Sequence, residues 1–130
     1  MKRHAKKLAG LHQLTGKKAT EKLLERLQEN EDVLIETIRQ LTAVVKTNSP
    51  VAPAEEWLLD NFYLIEENVR TAKRHLSRGF SRGLPWLESG PSAGLPRVYD
   101  IAREIISHGD GRVDLENLVS FVQAYQSVFI

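Results

Sequence analysis

Two long rows of apolar residues, each stepping by threes and fours, constrain this chain more than anything else in it. Leu24, Leu27, Leu34, Ile38, Leu41 and Val45 form the first row, with Glu31 standing where another apolar residue would fall. Leu58, Phe62, Ile65, Val69, Ala72 and Leu76 form the second. This spacing lays a single stripe along an α-helix and does not fit the alternation of a strand. The first row predicts a helix over about residues 20–46. Asn30 is able to cap a second helix, so a break or bend is expected near it. Asn48-Ser49-Pro50 stops the helix, because the residue before a proline is pushed out of the α region. The second helix is expected to begin at Pro53, where the missing N–H costs nothing. Glu55 and Glu56 then occupy its first turn and Lys73, Arg74 and His75 its last, each on the side of the helix dipole that favours it. Gly79 is its expected terminator.

Two shorter helices follow. One is predicted from Pro96 to just before Gly109, burying Val98, Ile101, Ala102 and Ile105. The next is predicted to be capped by Asp114 and to bury Leu115, Leu118, Val122 and Tyr125. Its stripe runs on through Phe129 to Ile130, an uncapped apolar ending that suggests a truncated domain. Between the two pairs, residues 77–95 hold four glycines and two prolines, which forbid a regular element. Phe80, Leu84, Trp86 and Leu87 nevertheless predict an ordered loop, since a solvated linker would not carry them. No strand of convincing length and no repeat is visible. The expected fold is all-α: four main helices as two antiparallel hairpins joined by a long ordered Gly/Pro/Arg loop. A basic flexible arm over residues 1–19 is expected to precede a helical domain over residues 20–130.

Charge sets the arm apart. Residues 1–22 hold Lys2, Arg3, Lys6, Lys7, Lys17, Lys18 and Lys22 against Glu21 alone, a net +6; the whole chain carries +1, so the remainder carries −5. Such an arm suits an anionic membrane surface better than nucleic acid, because no aromatic residues are interleaved to stack on bases. Cysteine is absent, which excludes disulfides and thiolate metal sites. No apolar run approaches the roughly 18–20 residues of a membrane span, and no apolar core of a signal peptide follows the basic start.

Tests for catalytic chemistry fail one after another. Gly109-Asp110-Gly111-Arg112-Val113-Asp114 imitates part of a calcium loop, but aligning Gly111 with the obligatory glycine puts Ile106, His108 and Asn117 at ligand positions. A turn followed by an Asp cap is the simpler reading. His4, His12, His75 and His108 share no metal-ligand spacing in sequence. Glu55-Glu56 and Glu66-Glu67 are neighbours on a helix and cannot face one substrate together. No phosphate-binding loop, dinucleotide fingerprint or nucleophile elbow occurs. No catalytic, cofactor-binding or metal residue is therefore assigned.

Three stretches are more specific than generic helix: Pro53 to Glu67 (PAEEWLLDNFYLIEE); Arg78-Gly79-Phe80, Leu84-Pro85, Gly90-Pro91 and Ala93 to Tyr99; and Phe121 to Gln126 (FVQAYQ). In this order they resemble the N-terminal region of the bacterial cyclic β-1,2-glucan synthases, over about residues 21–128. Ala52, Ser81 and Gly83 depart from the family's usual pattern. The resemblance implies a piece of a very large inner-membrane protein whose glycosyltransferase builds a β-1,2 chain from UDP-glucose and cyclises it, with a phosphorylase-like part trimming its length for use in the periplasm. It implies UDP-glucose and a divalent metal for the parent protein, none of them held by this segment: the chain has neither the Asp-x-Asp nor the Gln/Arg/Trp signature of such transferases.

The expectation is thus a non-catalytic helical segment on the cytoplasmic face of the bacterial inner membrane, whose partners are the remaining domains of the same polypeptide and, through the arm, anionic lipid. Trp57, Phe62, Arg78, Phe80, Arg82, Trp86, Arg97, Tyr99 and Tyr125 are the candidate contact residues, as aromatics and arginines held by ordered structure. The alternative is a free-standing helical protein-interaction adaptor.

Overall fold

A computed structural model describes residues 1–16, 22–76 and 79–129. The chain forms two compact units. One is residues 21–80; the other joins residues 1–20 to residues 81–130.

The first unit is two helices, α2 (Lys22–Lys46) and α3 (Pro53–His75), packed on each other. The predicted rows face inward except at Val45, which is exposed. Leu24, Leu27, Leu34, Ile38 and Leu41 on α2 and Leu58, Phe62, Ile65, Val69, Ala72 and Leu76 beside and along α3 are all half-buried. Glu31, the polar break in the first row, is met by Lys73 of α3, whose ammonium pairs with it and also donates to Gln28 Oε1 at 2.9 Å. The break is thus answered across the helix pair, and α2 runs through Asn30 without interruption. At the start of α3 the Ala52 side chain offers no cap, so Glu55 folds back and accepts the Ala52 N–H at 2.7 Å. Neither helix has a fully buried residue.

The second unit contains the main core and departs most from expectation. Residues Lys2–Leu11 are a helix, α1, not a flexible arm. Ala5, Leu8 and Ala9 lie on one face of it and are buried, with the buried His12 one turn on, while Lys2, Arg3, Lys6 and Lys7 stay exposed. Ala5, Leu8, Ala9 and His12 make an i, i+3, i+4, i+7 stripe. That stripe packs chiefly on α5 (Leu115–Gln126), joined by α4 (Arg97–His108). Ala5, Leu8, Ala9, Ile105, Phe121, Ala124 and Tyr125 are the core, with Ile101, Leu118 and Phe129 against it. The fold is all-α as expected, but among the described residues five helices replace the four, and α5 takes α1 rather than α4 as its main partner.

This partner rotates the buried faces. Phe121 is fully enclosed, whereas Val98 and Leu115, both expected inside, are 55% and 75% exposed. Asp114 caps α5 as predicted, accepting the Asn117 N–H at 2.8 Å. The Asp110-Gly111 turn closes α4: Gly111 at φ 78° turns its N–H back to the Ile106 carbonyl at 3.1 Å.

The Gly/Pro-rich segment is ordered over its described residues 79–95. After a 3₁₀ turn at Phe80–Gly83 it forms β2 (Trp86–Leu87), which pairs antiparallel with β1 (Leu14–Thr15) in the register Leu14 to Leu87 and Thr15 to Trp86. The turn beyond β2 is pinned at its ends, with Leu87 N–H on the Leu95 carbonyl (3.0 Å) and Gly94 N–H on the Leu87 carbonyl (2.9 Å). Gly94 takes φ 78°, a conformation a side chain would strain. Trp86, Leu87, Leu95, Ser92 and Pro96 are buried as a result.

Leu8 tests whether α1 belongs to the core. Leu8→Ala is expected to lower the unfolding free energy by about 2–4 kcal/mol, and Phe121→Ala by about 3–5 kcal/mol, in chemical denaturation. A solvated arm would leave the Leu8 variant within about 0.5 kcal/mol of the parent.

Candidate functional site

One cavity of the second unit, about 230 Å³, lies between α1, the turn at Ser89–Ser92 and α4. The α1 stripe places His4, Lys7, Leu8, Leu11 and His12 on its wall, and the first two turns of α4 supply Asp100, Arg103 and Glu104. Its floor is a buried hydrogen-bonded chain. Tyr125 Oη and His12 Nδ1 are 2.6 Å apart, and His12 Nε2 and Asp100 Oδ2 are 2.9 Å apart. The Ser92 hydroxyl donates to Asp100 Oδ1, and Arg103 Nη2 stands 3.2 Å from the same oxygen.

The physical chemistry of this chain follows from two groups. Burial pushes the Tyr125 phenol up, against the opposing pull of Arg97, so it keeps its proton. The ionised Asp100 can only accept, so His12 Nε2 is the ring nitrogen that donates to it, and Nδ1 shares its hydrogen bond with the Tyr125 hydroxyl. Burial works to raise the Asp100 carboxyl, but the hydrogen bonds from Ser92 and His12 and the charge of Arg103 outweigh it and hold Asp100 below the ordinary carboxylate range. The order Tyr to His to Asp leaves His12 with both nitrogens engaged and Ser92 bonded to the acid instead of the imidazole. It is not the arrangement of a nucleophilic triad, in which the base must be within reach of the hydroxyl it activates. Its effect is to lock α1, the 92 turn, α4 and α5 together.

The sequence-derived contact residues separate into two places. Trp57 and Phe62 lie on α3, Trp57 exposed and Phe62 half-buried, and Phe80 follows, exposed, in the same unit. In the other unit Trp86 is 4% exposed and donates its Nε1–H to the Ser81 carbonyl at 2.9 Å, so its ring is spent on internal packing. Arg97 and Tyr125 do come together. The Arg97 guanidinium lies 4.9 Å from the Phe129 ring centre and 5.8 Å from that of Tyr125, along a groove completed by Ile101, Val122 and Gln126. Tyr99 is half-buried in the first turn of α4, and Arg82 is exposed in the 3₁₀ turn. Arg78 lies outside the described residues. Sequence reasoning missed His12, Ser92 and Asp100 entirely. His12 and Asp100 are 88 positions apart, so no local spacing could have joined them.

Comparison with known proteins finds one clear likeness. Over 101 residues, 78% of this chain, it is 32% identical to "Cyclic beta-(1,2)-glucan synthase NdvB" of Rhizobium meliloti (strain 1021). The chain is similar to a cyclic glucan synthase. The resemblance read from the three motif stretches is therefore shown, and it supports a relationship to that glycosyltransferase family. The chain spans only 4% of the length of this synthase relative. No protein-family model and no solved structure matches. Among the described residues, no helix is long and apolar enough to cross a membrane.

Asp100 gives the site a pH signature. A carboxyl depressed in the folded state stabilises the fold fully above its unfolded value, about pH 4, and that contribution is lost as the pH falls through the folded value. Asp100→Asn is expected to cost about 2–3 kcal/mol at pH 7. Denaturation curves of parent and variant should converge as the solution is taken below about pH 4; a gap that stays constant into acid would contradict this role for the charge.

Proposed function

We infer that this chain is a non-catalytic helical docking segment of a cyclic β-1,2-glucan synthase-like glycosyltransferase, and that α2 and α3 pack against the remainder of the same polypeptide. One observation carries the reading. The α2–α3 pair spends its inward rows on each other without fully burying a residue, yet it still displays Val33, Ile35, Trp57, Tyr63 and Leu64 to solvent, with Val33, Trp57 and Tyr63 each around 60% exposed. Two helices alone seldom bury enough apolar surface to be comfortable, and an exposed aromatic and aliphatic patch of this kind favours a covering surface. Trp57 and Leu64 are seven residues apart and share one line along α3.

The likeness to the synthase supports the parent activity: building cyclic glucan from UDP-glucose, with a divalent metal, by parts of the polypeptide outside these 130 residues. The sequence has no Asp-x-Asp to hold nucleotide-sugar and metal itself. The exposed row Lys2, Arg3, Lys6 and Lys7 on α1 supports a second contact, with the anionic inner face of the membrane.

Co-expression of the 130-residue chain with the rest of the parent polypeptide tests the docking. Trp57→Asp combined with Leu64→Asp is expected to reduce co-purification roughly tenfold or more while leaving helical circular dichroism unchanged. A monodisperse chain with no affinity for the remaining domains would refute it and favour the adaptor reading. For the arm, binding to vesicles containing anionic lipid should fall steeply between low and physiological salt, and Lys6→Glu with Lys7→Glu should abolish it.

A further inference from the structure

His4, Glu104 and His108 form a cluster that no sequence spacing announced in full. Glu104 and His108 are one turn apart on α4, and α1 brings His4 to them across 100 residues of chain. His4 Nε2 is 2.7 Å from Glu104 Oε2, and His108 Nδ1 is 3.7 Å from the same oxygen. The three donor atoms all lie within 4.8 Å of one another. Their side chains are 28%, 20% and 43% exposed, sheltered enough to be ordered and open enough for an ion to enter. Two imidazole nitrogens thus face one carboxylate oxygen, an arrangement that N–H hydrogen bonds or a bound metal ion can satisfy.

The geometry points to a binding site for a divalent transition metal of the zinc class, held by His4 Nε2, Glu104 Oε2 and His108 Nδ1. Two imidazoles and a carboxylate are the donor set of open zinc sites, and donors around a tetrahedral zinc stand roughly 3.4 Å apart. The distances of 2.7 and 3.7 Å bracket that separation. The two rings are now stacked, centroids 3.7 Å apart and 26° between planes, so binding turns them edge-on to the ion. His108 Nδ1 gives up its 3.2 Å contact with the Glu104 carbonyl in doing so. Arg103 Nη2, 3.3 Å from Glu104 Oε1, engages the other carboxylate oxygen and orients it without occupying Oε2. His4 and Glu104 also line the 230 Å³ cavity, so the fourth position opens toward a space that holds Lys7 and Arg103, where water or a small anion completes the shell. This site is independent of the docking proposed for α2 and α3.

The test is titration of the untagged full chain with Zn²⁺ by calorimetry and with Co²⁺ by visible absorption. One equivalent should bind, raise the thermal midpoint and, for cobalt, give the d–d bands of a low-coordinate N/O site. His108→Ala, at the most exposed of the three, and the isosteric Glu104→Gln should each weaken zinc at least tenfold with unchanged circular dichroism, while His75→Ala should leave it untouched. No saturable binding by the parent chain, or equal binding by the His108 and Glu104 variants, would overturn the proposal.

Discussion

A carboxylate buried in the second unit decides how that unit is built. Asp100 sits on the first turn of α4 with its side chain 6% exposed, and a charge so placed is tolerated only if its lone pairs are filled. Ser92, His12 and Arg103 fill them, and Tyr125 completes the chain through His12. Each partner comes from a different stretch: the turn beyond β2, the end of α1, α4 itself and α5. Satisfying this one charge therefore fixes four segments at once, and the small β1–β2 pairing and the Phe121 core follow the same alignment. Such a network specifies one arrangement more than it adds net stability, since a well-packed apolar replacement would forgo its desolvation cost.

The other unit obeys a simpler rule. Its two helices meet along rows that step by threes and fours, and the single polar residue in those rows, Glu31, is neutralised by Lys73 on the facing helix. A pair of helices has only one mutual face. What remains outward on α2 and α3, with Trp57, Tyr63 and Leu64 foremost, is therefore a consequence of having two helices and not a third.

Much of the local architecture was legible in the residues. The two long helices, the Pro53 and glutamate start of α3 and the Asp114 cap all follow from short-range rules of φ restriction, capping and periodicity. The resemblance to the glucan synthases was legible too, because motif order survives in a linear reading. The failures share one cause. α1 was missed because Gly10 and the run of cations outweighed a short stripe of two alanines, a leucine and a histidine; a helix of this length is marginal alone and is held by the face of α5 that it covers. The inward side of α5 was misjudged for the same reason, Phe121 replacing Leu115, since which of two adjacent stripes is buried depends on where the partner helix lies.

Sequence alone thus determined the helical class and several helix boundaries, the Pro53 start and the Asp114 cap among them, because these depend on interactions within a turn or two. Only the tertiary structure decided that His12 belongs to Asp100, that His4 meets Glu104 and His108, and that Trp86 is core while Trp57 is surface. Those outcomes rest on contacts between positions tens of residues apart, whose energies no local pattern records and which exist only once the buried charge and the apolar stripes have found their partners.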